Sequence, residues 1–377
     1  MGVVLGRRAL FGRRLARLGA TRDFHYELLQ MLTRLRIALV APVAQALPPT
    51  RSGSIETLAA LLADGLVARG HDVTLFATGG SVTRARLHAV FERGYGEDEA
   101  LWPWELCELF NLAAAVERAD AFDVIHAQAE YAPLSLAYGE LSPVPLIHTV
   151  HHLPTAPEIA LWSHYPAAPF VAVSAEQART LAGLNVAGTI HHAVDTNVYV
   201  SNGEPGDYLL FLGRFTEGKG VLQAIEVARR SGHRLVLAAE ENAYYRETVA
   251  RFVDGNHVTY VGEVGQAEKV RLLGGARALL YPVQEAEPFG LVLAEAAACG
   301  TPAAALRRGA VSELVDEGVT GLAFDSIDTL VDGLPQVLAL DRATVRARAV
   351  ERFGVDRMVG AHEEVYRGVV ARYLARA

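Results

Sequence analysis

The chain has 377 residues, 51% hydrophobic and 21% charged, with a formal net charge of −8. That balance suits two ordinary globular domains, each with its own core, and argues against nucleic acid as a partner. Two cysteines far apart, Cys107 and Cys299, give neither a disulfide framework nor a CxxC metal site, which fits a reducing, cytoplasmic setting, and no apolar run approaches the roughly 20 residues that span a bilayer.

Residues 1–34 read as a basic N-terminal extension. Residues 1–36 carry eight Arg against Asp23 and Glu27, net +6, which leaves −14 for the remainder. GRRALFGRRLARLG suits a basic amphipathic helix, so peripheral contact with an anionic membrane is one expectation. A floppy leader, with Met31 as a sensible later start, is the other. The stretch lacks the apolar region of a signal peptide.

A first domain, 35–200, opens with RIALVAP, Arg36–Pro42, whose continuous apolar run reads as a buried parallel strand. The loop VAQALPPTRSGS leads into a helix over Ile55–Arg69, then the strand His71–Thr78. Doubly wound sheets place a diphosphate at a Gly-bearing loop between first strand and helix, which marks Gly53 and Ser54. Trp102–Ala119 has helical spacing. Phe122–Gln128 and Val144–His152 read as strands with polar carboxyl ends, where open α/β sheets bind ligands. His126, Gln128 and His151 gain weight for that reason. A metal site at His148, His151 and His152 is disfavoured, because adjacent strand residues point to opposite faces and no acidic ligand lies near. Phe170–Thr180 reads as strand then helix, capped by Ser174. SNGEPGD, Ser201–Asp207, reads as the interdomain linker.

A second domain, 207–354, begins with the strand Tyr208–Leu212, ending at Gly213. Arg214 and Lys219 flank the loop before a helix that starts near Gly220. Two cations there would clamp a diphosphate; a solvated charged turn is the plain alternative. Strands follow over Arg234–Glu240, Val258–Val264 and Ala276–Val283, with a helix over about Tyr244–Phe252. Then comes YPVQEAEPFGLVLAEAAACGTP, Tyr281–Pro302. It reads as a strand end, an acidic loop holding Glu287, and a helix opened by Phe289 and Gly290 that contains Glu295. Gly300 and Pro302 stop that helix. The free N–H groups of Gly290, Leu291 and Val292, with the helix dipole, favour an anion. The two carboxylates are suited to accept hydrogen bonds from sugar or ribose hydroxyls. RRGAVSELVDEGVTGLAF, with Gly309 and Glu313, closes the domain, and 355–377 should be helical.

The Glu287-x7-Glu295 pair between its EPFG and CGTP flanks resembles the signature of the retaining GT-B glycosyltransferases, the large family that includes sucrose-phosphate synthase and bacterial mannosyltransferases. The resemblance spans roughly 36–372. It implies an α/β fold of two Rossmann-like domains facing across a cleft, with the acceptor on the first and a nucleotide-diphosphate sugar on the second. Residues 355–377 would cross back onto the first domain. Catalytic roles are implied for Glu287 near the reacting carbon, for Arg214 and Lys219 on the leaving diphosphate, and for His151 beside the donor sugar. Donor binding is implied for Gly53, Ser54, Gly213, Val264, Phe289, Gly290, Leu291, Val292 and Glu295, the last on the ribose. Four positions depart from the family pattern. Ser54 replaces a second Gly, Ala193 a Gly, Gly218 the Glu before the lysine, and Glu240 stands where a polar or basic residue is usual.

The resulting expectation is a hexosyltransferase that retains anomeric configuration and needs no metal or other cofactor, since the chain holds no Asp-x-Asp. UDP-glucose is the preferred donor over GDP-mannose or UDP-N-acetylglucosamine. The acceptor is an unidentified hydroxyl compound. A catalytically weak nucleotide-sugar-binding or partner protein, and a sugar-nucleotide epimerase of the same fold, are the competing classes.

Overall fold

The computed structural model describes residues 34–50, 53–129, 132–201 and 203–376. Apart from Arg34, the basic extension lies outside the described residues. Two all-parallel sheets organise the chain. Because a parallel pair needs a crossover of a dozen or more residues, helices cover both faces, and the strands read as unbroken apolar runs.

The first sheet has seven strands: β1 (Arg36–Val40), β2 (Asp72–Phe76), β3 (Arg86–His88), β4 (Val124–Ala127), β5 (Leu146–Thr149), β6 (Pro169–Ala172) and β7 (Asn185–Thr189). Their order is β3-β2-β1-β4-β5-β6-β7. The two-residue alternation of a strand divides β1 between two cores. Leu35, Ile37 and Leu39 pack with Leu58, Leu62 and Leu66 of α1 (Ser54–Ala68). Ala38 and Val40 pack with Leu112 and Ala115 of α2 (Trp104–Val116) on the other face. Three further helices, α3 (Ala132–Leu141), α4 (Ala156–Trp162) and α5 (Ala175–Thr180), complete the first layer. Ser174 caps α5, its hydroxyl accepting from the Gln177 N–H at 3.0 Å.

The second sheet runs β10-β9-β8-β11-β12-β13. It comprises β8 (Tyr208–Leu212), β9 (Arg234–Ala238), β10 (Val258–Tyr260), β11 (Ala278–Tyr281), β12 (Ala303–Leu306) and β13 (Gly321–Phe324). Its helices are α6 (Val221–Ser231), α7 (Gln266–Gly275), α8 (Leu291–Ala298), the short α9 (Val311–Leu314) and α10 (Ile327–Leu338). The expected helix near Tyr244–Phe252 is instead a π-helical turn, Tyr245–Val249, followed by a 3₁₀ turn. There Tyr245 stacks on Phe215 and packs against Tyr260. The strand expected over Val258–Val264 pairs only through Tyr260. It lies at the sheet edge, and Gly262 turns the chain with φ +82°.

The chain passes between the sheets twice. The outward passage follows β7. The return runs through α11 (Arg342–Phe353) into α12 (Val355–Arg376), with Val194 N–H donating to Phe353 O at 2.9 Å where the passages meet. α12 then lies on α1: Met358, Val359, Tyr366, Val369 and Val370 join the core of the first sheet. Polar groups reinforce that docking. Tyr366 Oη lies 2.7 Å from His126 Nδ1, and Glu363 accepts from Arg69 at 2.7 Å and meets His71 at 2.6 Å. Among the described residues no helix is long and apolar enough to cross a membrane.

Tyr366 is fully buried at this seam. Tyr366→Ala should cost about 3–5 kcal/mol, as large aromatic truncations in cores do, seen as a lower denaturant midpoint. A change below about 1 kcal/mol would show that α12 does not contribute to the first core.

Candidate active site

The loop between β11 and α8 holds Glu287 where two chain segments press together. A Cβ at Gly309 (φ +53°) would fall 2.4 Å from Glu287 N and 2.5 Å from Glu287 O, and Ala310 N–H donates to Glu287 O at 3.1 Å. Only glycine fits that approach and that left-handed backbone. The Glu287 carboxylate is 15% exposed and ion-paired through Oε1 with Lys219, while Oε2 accepts from the buried Tyr281 hydroxyl. Burial first, then the Glu287 charge, pushes the Tyr281 phenol well above its ordinary value, so it stays a donor.

α8 begins at Gly290, in the left-handed region, and no side chain caps it. The first-turn N–H groups of Leu291 and Val292 are therefore not taken by a capping side chain. Leu291, Val292 and Val264 pack on the cluster that contains Phe289. Glu295 sits one turn further on, 5% exposed. Its Oε1 accepts from Tyr199 and from Lys269, each at 2.5 Å. Gly213 ends β8, and Arg214 beyond it is exposed, with no side-chain ion pair among the described residues. Gly218 makes room for a new neighbour: a Cβ there would meet the Glu285 carboxylate at 2.6 Å.

From the first sheet, His151 follows β5. Its Nε2 lies 2.8 Å from Gln128 Oε1, an acceptor, so Nε2 carries the proton. Nδ1 is then a bare lone pair, buried and without a partner among the described residues. Burial, then the neighbouring His152 and His362, lower the His151 pKa to about 3, so the ring is neutral. His151 stacks on His192, which meets the Phe289 ring edge-on at 4.9 Å. That chain of rings joins the two domains. Ser135, Gln128 and Glu158 are the separate partners of His148, His151 and His152. Glu158 is an acidic neighbour that the sequence reading overlooked. Among the described residues no group of three His, Cys, Asp or Glu is placed to hold a metal ion.

Gly53 precedes α1 against Gln45 and Pro49, and the Thr50 carbonyl in the same loop approaches Gly265 of the second domain. Glu313 of α9 also spans the domains, accepting from the N–H groups of Ala175 and Glu176 and from His191. Burial pushes its carboxyl up, but the His191 hydrogen bond and those backbone donors outweigh it and hold the pKa low. The sequence reading singled out Glu287, Lys219, Glu295 and His151 but not Tyr281, Tyr199 and Lys269, which bond Glu287 and Glu295. An isolated Tyr or Lys in a helical or apolar segment gives no signal of its own.

Two Rossmann-like domains meeting across residues of this chemistry define a GT-B glycosyltransferase, an enzyme that moves a sugar from a nucleotide-diphosphate donor to an acceptor. The family described as glycosyl transferases group 1 matches residues 200–352, and glycosyltransferase family 4 matches 55–198; the chain belongs to these families. The D-inositol 3-phosphate glycosyltransferase of Mycolicibacterium paratuberculosis is 27% identical over 344 residues, 74% of this chain and 75% of that one. A crystal structure of a glycosyltransferase involved in avilamycin A biosynthesis superposes with a TM-score of 0.69 at 28% identity, covering 90% of this chain and 98% of that one. Sucrose-phosphate synthase from Thermosynechococcus elongatus shares the fold, with a TM-score of 0.73 at 18% identity over 90% and 100% of the two chains.

Five buried histidines, His126, His148, His151, His192 and His362, have pKa values lowered chiefly by desolvation. Unfolded, they titrate near their ordinary value of about 6.5. Their stabilising effect is complete above that pH and is lost as pH falls towards their folded values. Near pH 5 unfolding should take up roughly five protons from this set, each worth about 1.4 kcal/mol per pH unit. Thermal unfolding from pH 7.5 to 4.5 checks this; a midpoint that stays flat to pH 4.5 would contradict it.

Proposed function

We propose that the enzyme transfers a hexose with retention and without a metal ion, from a nucleotide-diphosphate sugar lying between the domains. UDP-glucose is the first donor to test. The observation that carries the reading is the convergence on one loop of a largely buried carboxylate, Glu287, the cation Lys219 and the uncapped start of α8. Arg214, Lys219 and the α8 N–H groups would hold the diphosphate, replacing a metal's positive charge. The C1–O bond to the phosphate breaks as the bond from the acceptor oxygen to C1 forms. The departing phosphate oxygen takes the acceptor proton. Preorganised donors help most where that charge develops, at about 2.7–4 kcal/mol for one good donor.

Glu287 would orient the sugar through its hydroxyls, since a carboxylate has lone pairs to spare beyond Tyr281 and Lys219. His151 would accept a sugar hydroxyl at its bare Nδ1. Glu295 would accept from the ribose. Gly53 and Ser54 would approach the diphosphate from the first domain, and the Val264 backbone would meet the base. Closure of the domains would exclude water and limit hydrolysis.

One observation favours a second reading, donor binding with little turnover. The Glu285 carboxylate beside Gly218 adds negative charge next to the loop that would hold the diphosphate. Thermal-shift titration with UDP, GDP and ADP and their sugar conjugates, with and without EDTA, tests both. One nucleotide should raise stability selectively by mass action, equally with EDTA present, and its sugar conjugate should turn over. Binding without turnover on any acceptor would support the second reading. Glu287→Gln should lower transfer at least about a hundredfold while nucleotide affinity stays within a few fold. Lys219→Ala should weaken donor binding and lower kcat by about 10²–10³. Retained turnover in Glu287→Gln would remove it from the mechanism.

A further inference from the structure

The two glutamates share a construction. Each nearly buried carboxylate is held by one tyrosine hydroxyl and one lysine: Glu287 by Tyr281 and Lys219, Glu295 by Tyr199 and Lys269. The oxygens are divided differently, however. At Glu287 the two donors occupy different oxygens. At Glu295 both donors fall on Oε1, and Oε2 has no hydrogen-bond partner among the described residues.

The supports of Glu295 come from separate elements. Lys269 belongs to α7, which follows the Gly262–Val264 loop, and its ammonium also lies 5.6 Å from the Tyr199 ring centroid. Tyr199 belongs to the segment that joins the domains. Its ring is packed in the apolar cluster of the second domain, and burial followed by the Glu295 charge raises its pKa, so the hydroxyl remains a donor. Arg346 of α11 fixes the same segment: it donates to Tyr199 O at 2.5 Å, to Thr196 O at 2.9 Å and to Ala298 O at the end of α8.

We infer that Tyr199 and Lys269 are positioning residues for donor recognition: by occupying Oε1 they fix the Glu295 carboxylate with Oε2 presented to the ribose hydroxyls. This rests on the reading that Glu295 is the ribose partner. A carboxylate rotating freely would meet the same hydroxyls at an entropic cost; a carboxylate locked through one oxygen meets them without it. Because Tyr199 lies between the domains, ribose recognition depends on the interdomain segment being seated against α8.

Calorimetric binding of the nucleoside diphosphate selected above, alongside its 2′-deoxy and 3′-deoxy forms, tests the inference. In the native enzyme, loss of the hydroxyl held by Glu295 should weaken binding roughly tenfold or more. In Tyr199→Phe, which keeps the ring packing, that discrimination should shrink to about threefold or less. Affinity for the deoxy form should barely change. Lys269→Met, which keeps the apolar stem, should behave alike. Equal weakening towards ribo and deoxy ligands, or undiminished discrimination, would overturn the positioning role. Glu295→Gln separates the two levels. If it discriminates as the native enzyme does, or if the native enzyme does not discriminate, Glu295 is not the ribose partner and the inference fails with that reading.

Discussion

A carboxylate taken out of water needs donors that replace its hydration, because an unpaired buried charge costs several kcal/mol. Glu287 and Glu295 meet that requirement through a tyrosine and a lysine apiece, and much of the second domain is arranged around supplying them. Lys219 is available because β8 ends at Gly213 and the chain turns through a 3₁₀ turn, Glu217–Lys219, before α6. Tyr281 is available because it ends β11, six residues before Glu287. Gly290 lets the backbone approach the Tyr281 hydroxyl, since a Cβ there would fall 2.8 Å from it. Gly309 lets the next loop press on Glu287 itself. The groups that satisfy the burial constraint are thus the same ones that the proposed chemistry uses.

The parallel topology explains why these residues meet. In an all-parallel sheet every crossover returns to the same end, so all loops after strands gather at the carboxyl edge. The edge of one sheet presents His151 and His192; that of the other presents Lys219, Glu287 and Phe289. The rings of His192 and Phe289 make one of the contacts where the edges touch. The two passages of chain keep this alignment, with Val194 bonded to Phe353 and Glu313 bonded to the start of α5. The apolar cluster of the second domain includes Val173 and Val194 from the first. The junction is packed as well as bonded.

The central strands were legible because burial on both faces leaves an unbroken apolar signature, as in RIALV and ALLY. The two edge strands of the first sheet were not. β3 has three residues, and β7, NVAGT, has Ala and Gly where strand propensity is low; it pairs with β6 through a register shift at Phe170 and Val171. α10 and α11 carry no chemical motif, so the sequence reading passed over them. At the candidate site, motif spacing singled out Glu287, Glu295 and the Arg214–Lys219 loop. Partner choice was hidden, because Lys269 is 26 residues from Glu295 and Tyr199 is 96. Only the fold brings them within hydrogen-bond reach.

The departures from the family pattern acquire physical meaning in this setting. Gly218 is coupled to Glu285: with no side chain at 218, the Glu285 carboxylate lies against the backbone there, and Gln284 N–H donates to Gly218 O at 2.8 Å. A carboxylate reaching from the β11–α8 loop thereby lies beside the residue that precedes Lys219. Ala193 is buried in the core shared with α12, where a methyl group adds packing without requiring a backbone that only glycine adopts. Glu240 is exposed after β9 and its neighbour Glu241 pairs with Arg246, so that acidic loop is partly neutralised from its own domain. Gly218, Ala193 and Glu240 therefore fall where a neighbouring group lies close or the space suits the residue present, while Lys219 pairs with Glu287 on the loop that runs through Gly290 into the helix holding Glu295.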